Sequence, residues 1–176
     1  SPGGSLSSCT QYISDGYTLY LFISPSSLVN TAFTTNYATN IGLGGNVIIP
    51  YSPKPYIIVE WDPWFSSVKV YVVEWTTTPS TGGVQSGGVE AIWSSSASIY
   101  VYPSPGDDLG FGVAFYPGNN TLKVFVSDWT NNQQGYATFV IPQSAFTASP
   151  GAYYVGVGSQ TGNCYAQWEV NGFLAG

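Results

Sequence analysis

The chain is 176 residues long, 44% apolar and 16% aromatic, with only 7% of its residues charged. Three lysines stand against nine carboxylates, with no Arg and no His. So few cations cannot form the basic stripe that neutralises nucleic-acid phosphates, and without His neither Ser/His/Asp nor Cys/His catalysis is available. No apolar run approaches the ~18 residues of a membrane-spanning helix.

Aromatic and β-branched residues favour a pleated, half-buried surface, and the 21 Gly and 12 Pro supply frequent turns. This composition predicts an all-β protein of one domain. The polar surface is mostly Ser, Thr, Asn, Gln and Tyr. Protonating every carboxylate would leave a net charge of only about +3, so acid would cause little self-repulsion. Adaptation to an acidic extracellular setting is one reading; compositional drift is the other.

Residues 1–13 are mostly small and polar and read as an N-terminal arm, with a single domain over 14–176. The first strong strand is expected at 17–24, ended by Pro25. Residues 25–54 are loop-rich, with a short apolar run at 47–49. Residues 56–61 are apolar nearly throughout, as in a central strand. In 68–75, Val68, Val70 and Val72 share one face, with Glu74 in phase. After a Gly-rich stretch at 76–88, strands are expected at 89–93, 98–102, 109–115 and 121–129. The last two are joined by Tyr116-Pro117-Gly118-Asn119-Asn120 as a hairpin connection. Strands at 136–141, 153–158 and 165–170 complete about ten, a spacing that indicates an antiparallel two-sheet β-sandwich.

Cys9 and Cys164 are the only cysteines. In a cytosolic protein they would be unrelated thiols. In a secreted one they form the only available disulfide, and closing so long a loop contributes roughly 4–5 kcal/mol by the chain-entropy argument. The opening Ser-Pro-Gly-Gly is expected of a secreted mature form after signal removal. Asn119-Asn120-Thr121 is a glycosylation sequon, which places Asn119 on an accessible surface if the chain is extracellular.

Several segments, in order, resemble the L-type (legume-type) lectin family. They are Asp15-Gly16-Tyr17-Thr18-Leu19-Tyr20-Leu21-Phe22-Ile23-Ser24-Pro25, Ile41-Gly42-Leu43, Val59-Glu60-Trp61-Asp62, residues 109–128, Val155-Gly156-Val157-Gly158-Ser159-Gln160-Thr161-Gly162, and Gln167-Trp168-Glu169-Val170. The resemblance implies a concanavalin-like jelly roll that binds a glycan or glycoprotein. It implies a sugar site at Asp15, Thr39, Asn40, Trp64, Ser66 and Gln160, with Phe65 beside Trp64 as a stacking platform. It also brings the segments bearing Cys9 and Cys164 together at the sugar-binding rim. Glu60 and Asp62 match the family's acidic metal ligands, which makes calcium the candidate cofactor. The family's Asn position is here Ser66, and the imidazole of a transition-metal site is missing. Calcium, which takes six to eight oxygens, is left with Glu60 and Asp62.

Two other functions compete with glycan binding. A sandwich short of N-terminal strands exposes an edge that a second copy can complete, which suits a structural, adhesive or filament-forming surface protein. A weaker resemblance, through Glu74-Trp75 and Pro105-Gly106-Asp107, is to the acid-acting glutamic peptidases, and it makes Glu74 the candidate acid of a hydrolase. A glycosidase would instead need two carboxylates facing each other across a cleft, and no pair stands in such a signature.

Overall fold

The computed structural model describes residues 18–29, 49–63, 65–78 and 88–160. Within them the chain is all-β, with eight strands: β1 (Thr18–Ser24), β2 (Tyr56–Asp62), β3 (Ser67–Trp75), β4 (Val89–Ser98), β5 (Leu109–Tyr116), β6 (Thr121–Asp128), β7 (Gln133–Val140) and β8 (Tyr154–Gln160). They form two antiparallel sheets, one ordered β4-β3-β2-β1-β8 and the other β5-β6-β7. β1 to β4 run as a meander, β5 to β7 form a second meander in the other sheet, and β8 returns to lie beside β1. There Thr18 pairs with Gln160 and Ile23 with Val155. None of the described residues forms a helix long and apolar enough to cross a membrane.

Strand alternation explains how the sheets stack. Ile57, Val59 and Trp61 of β2 and Val68, Val70 and Val72 of β3 point one way. They meet Leu122, Val124 and Val126 of β6 and Ala137 and Phe139 of β7. The Trp61 and Phe111 rings, 5.9 Å apart, join the sheets directly. Each fully buried Val or Ile here contributes about 1.5–3 kcal/mol over leaving it exposed, before ordering entropy is counted.

The outer face of the five-stranded sheet is also buried over much of its area. Tyr20, Phe22, Tyr56, Ile58, Tyr71, Val73 and Val89 form a second apolar cluster with Ile49. Its loop side is fixed by Pro50, whose carbonyl accepts the Tyr56 hydroxyl at 2.7 Å and the Trp75 indole at 3.1 Å. β2, apolar on both faces, is therefore the central strand that its sequence predicts.

Two expectations are corrected. Residues 89–93 and 98–102 are not separate strands: β4 runs unbroken through its serines to Ser98, and 99–104 form no ladder. Ile99 and Val101 are buried and Tyr100 and Tyr102 exposed, so the alternation is real. The hydrogen bonds, however, go elsewhere. Ile99 N–H donates to the Ser66 carbonyl at 2.9 Å, the Ser66 hydroxyl to the Val101 carbonyl at 3.0 Å, and Tyr102 N–H to Gln133 Oε1 at 2.8 Å. Tyr100, with φ at +55°, turns the segment out of strand geometry. The expected strand at 165–170 lies outside the described residues.

The crossing segment also explains Gly135. A Cβ there would lie 2.5 Å from the Ile99 carbonyl oxygen and 2.9 Å from Ile99 Cβ, so backbone would have to move. Gly135→Ala is expected to lower stability by about 1–3 kcal/mol, the usual cost of overpacking. Gly112→Ala, whose Cβ would make an ordinary 3.9 Å contact with Phe125, should be neutral or slightly stabilising. Urea unfolding of both variants checks the contrast.

Candidate functional site

At the end of β2 the outer face turns polar. Glu60 and Asp62 follow Tyr56 and Ile58 on the same face, and Glu60 is directly opposite Tyr20 on β1 and Lys69 on β3. Lys69 Nζ lies 3.8 Å from Glu60 Oε1 and 4.0 Å from Asp62 Oδ2. The Tyr71 hydroxyl donates to Glu60 Oε2 at 2.8 Å. Both carboxylates are buried. Burial pushes the Glu60 carboxyl above its ordinary value; Lys69 and the Tyr71 hydrogen bond pull it back, and Asp62 pushes it further up. Burial, and next the Glu60 charge, also raise the Tyr20 and Tyr71 phenols. Outside this cluster is an open pocket of about 250 Å³ lined by Lys69, Tyr71, Ser94, Ser95 and Ser96. The serines of β4, Tyr71 and the lysine line this pocket, and neither carboxylate is among its lining residues.

The structure distributes the expected sugar-site residues unevenly. Asp15, Thr39, Asn40, Trp64 and both cysteines lie outside the described residues. Gln160 ends β8 opposite Thr18. Ser66 is 2% exposed, with φ at +46° and its hydroxyl turned inward to Val101. It holds the crossing segment and presents no hydroxyl to solvent. Phe65 is exposed, and its N–H donates to Asp62 Oδ1 at 3.3 Å. Asn119 sits exposed in the β5–β6 turn, where its Oδ1 accepts the Thr121 N–H at 3.2 Å. Glu74 keeps the phase of Val68, Val70 and Val72, but it stands half-buried at the strand end opposite another carboxylate, Glu90.

A second surface emerges from the register of the three-stranded sheet. On β6, Leu122, Val124 and Val126 face the core, so Lys123, Phe125 and Ser127 face away from it, followed in phase by Trp129. Phe125 pairs with Tyr136 of β7, with ring centroids 5.1 Å apart, and on its other side with Gly112 of β5. Tyr136 is 67% and Trp129 61% exposed. A Cβ on Gly110 would lie 2.8 Å from Trp129 Cζ2, so the indole lies over the bare glycine backbone. Farther along, the Lys123 ammonium sits 5.5 Å from the Tyr116 ring centroid. Phe125 of β6, Tyr136 of β7 and Trp129 in the turn after β6 thus lie on the outer face of one sheet, the last two well exposed.

Comparisons with family models, with curated proteins and with solved structures find no match to this chain.

Trp129 is held from behind by a polar turn. Asp128 is buried; its Oδ1 accepts Asn131 N–H at 3.0 Å, and its Oδ2 accepts Asn131 Nδ2 at 2.7 Å. Asn131 Nδ2 also donates to Asp107 Oδ2 at 2.8 Å, and Trp129 N–H donates to the Asp108 carbonyl at 2.8 Å. The sequence carried a signal for this row. Aromatics occupy the outward phase at 125 and 129, where an antiparallel sheet with a solvated face ordinarily places polar residues.

Glu60 makes stability depend on pH with a defined sign. Its folded pKa lies above the unfolded value near 4.5, so the folded chain holds more protons across the interval between them. This stabilisation is complete below the unfolded pKa and is lost as pH rises through the folded one. Urea midpoints should therefore fall with rising pH in that window, by at most about 1.4 kcal/mol per pH unit for one proton. Glu60→Gln should flatten that part of the profile; an unchanged slope would assign it to another group.

Proposed function

We propose that this protein is an extracellular, lectin-like carbohydrate-binding module, and that the aromatic row Trp129–Phe125–Tyr136 is its contact surface. The observation that carries the reading is the exposure of Trp129 and Tyr136 on the outer face of the three-stranded sheet, with the half-buried Phe125 ring packed against Tyr136. Sugar rings present C–H faces that stack on aromatics and hydroxyls that need polar partners. The row is bordered by Gln134 and Thr138, both exposed, and Gln134 Oε1 accepts the Tyr136 hydroxyl at 3.1 Å. Trp and Tyr bring large contact area with little conformational freedom to lose. Gly112 leaves the β5 side low beside Phe125, while Gly110 makes room for the Trp129 indole.

Three features support the lectin-like form of the fold. The return of β8 beside β1 gives the spatial order β8-β1-β2-β3, as in a Greek key. The segment Val59-Glu60-Trp61-Asp62 lies on a central strand, and Asn119 is accessible at the opposite sheet. An acid hydrolase is less well supported. Glu60 has both oxygens engaged and is 2% exposed, and Glu74 faces Glu90 across a strand pair at the sheet's end.

Calorimetric titration and glycan arrays at acidic pH test the reading. Wild type should bind an oligo- or polysaccharide. Tyr136→Ala and Trp129→Ala should each weaken binding by about tenfold or more, as expected for truncated aromatic anchors, while the fold stays intact. Binding unaffected by both substitutions would remove the row from the site.

One observation favours self-association as a second role. Val155 and Val157 of β8 share the phase of Leu21 and Ile23 but remain 41% and 50% exposed, because the three-stranded sheet does not reach over them. A second copy of the chain that laid an extended segment there would bury them and pair with β8, which ends its sheet among the described residues. Sedimentation velocity should then show concentration-dependent oligomers that Val157→Lys abolishes. A monomer at every concentration would end this reading.

A further inference from the structure

We propose that Lys69 is a built-in counter-ion that stands where a divalent cation would otherwise bridge Glu60 and Asp62, so that this face of the protein works without calcium. Calcium is the cation that the resemblance of Val59-Glu60-Trp61-Asp62 implies, and with Lys69 in place the donor set does not fit it. Calcium takes six to eight oxygens at about 2.3–2.6 Å, several of them anionic. Here no group of three or more His, Cys, Asp or Glu side chains suited to a metal occurs among the described residues.

The four carboxylate oxygens are also already placed. Glu60 Oε2 accepts the Tyr71 hydroxyl at 2.8 Å, and Asp62 Oδ1 accepts the Phe65 N–H at 3.3 Å. The two remaining oxygens, Glu60 Oε1 and Asp62 Oδ2, face the same ammonium at 3.8 and 4.0 Å. Ser66, which takes the position of a further ligand in the resemblance, donates its hydroxyl away from the pair to Val101.

Strand register makes this arrangement permanent. Glu60 and Lys69 are directly opposed on two paired strands, so the lysine reaches the pair from a fixed backbone position. Two buried carboxylates without a cation would be costly, and an ammonium linked by the chain supplies that charge at every ion concentration. The lysine side chain is one-third exposed and lines the serine pocket, so its removal would open the carboxylates to solvent ions. This inference does not rest on the glycan reading.

The test uses the intact protein with calcium and with terbium, whose emission is sensitised by nearby Trp and Tyr rings. Wild type should melt at the same temperature in EDTA and in millimolar calcium, and give no saturable terbium emission. Lys69→Gln should melt lower in EDTA, recover part of that loss with calcium, and gain terbium emission that calcium displaces. Saturable terbium emission from wild type, displaced by calcium and lost in Glu60→Gln, would overturn the proposal. A folded Lys69→Gln variant with no calcium response would also overturn it. The wild-type measurements decide the question even if that variant fails to fold.

Discussion

β2 is buried from Tyr56 to Asp62 on both faces, and the rest of the structure is arranged around that constraint. A central strand presents one row of side chains to each side. Ile57, Val59 and Trp61 therefore need a second sheet, which β5–β7 provide. Tyr56 and Ile58 need a cover on the other side, to which the segment around Ile49 and Pro50 contributes. The two carboxylates that end the outer row cannot be buried unpaired. Lys69 and Tyr71 on the neighbouring strand satisfy that requirement, and the exposed serines of β4 line the open pocket beside them.

The unequal width of the sheets follows from the same arrangement. Among the described residues the β2 sheet has five strands and the sheet opposite it has three. The inner face is dry where β6 and β7 cover it and partly open at β8. On the three-stranded sheet one face is spent on the core and the other is left to solvent. The exposed Trp129 and Tyr136 rings on that solvated face carry no packing role toward the core. The buried carboxylate pair, by contrast, is explained by charge compensation within the sheet.

Much of the fold was legible because alternation is a local signal. Val68, Val70 and Val72, and Leu122, Val124 and Val126, announce their buried faces directly, and the apolar run from Tyr56 announces a strand buried on both sides. The reading failed at 98–102, because Ile99 and Val101 alternate with Tyr100 and Tyr102 as a strand would, although their hydrogen bonds go to Ser66 and Gln133. Ladder formation depends on what lies alongside, and residues 66 and 133 are remote in sequence. The site was less legible for a related reason. Phe125, Tyr136 and Trp129 become neighbours only through the β6–β7 register. The cation for Glu60 and Asp62 comes from Lys69, which a motif-based reading of residues 59–62 passes over.

If ligand contact belongs to the outer face of β5–β7, the carboxylate cluster is internal structure that a ligand leaves untouched. An NMR titration of the labelled protein with a bound oligosaccharide separates the two surfaces directly. Contact at the aromatic row would concentrate shift changes at the Trp129 indole N–H, the Phe125 and Tyr136 rings and the Gln134 amide, with Lys69, Tyr71 and Ser94 to Ser96 unmoved. Shifts centred on the serine pocket, with the aromatic row silent, would contradict it.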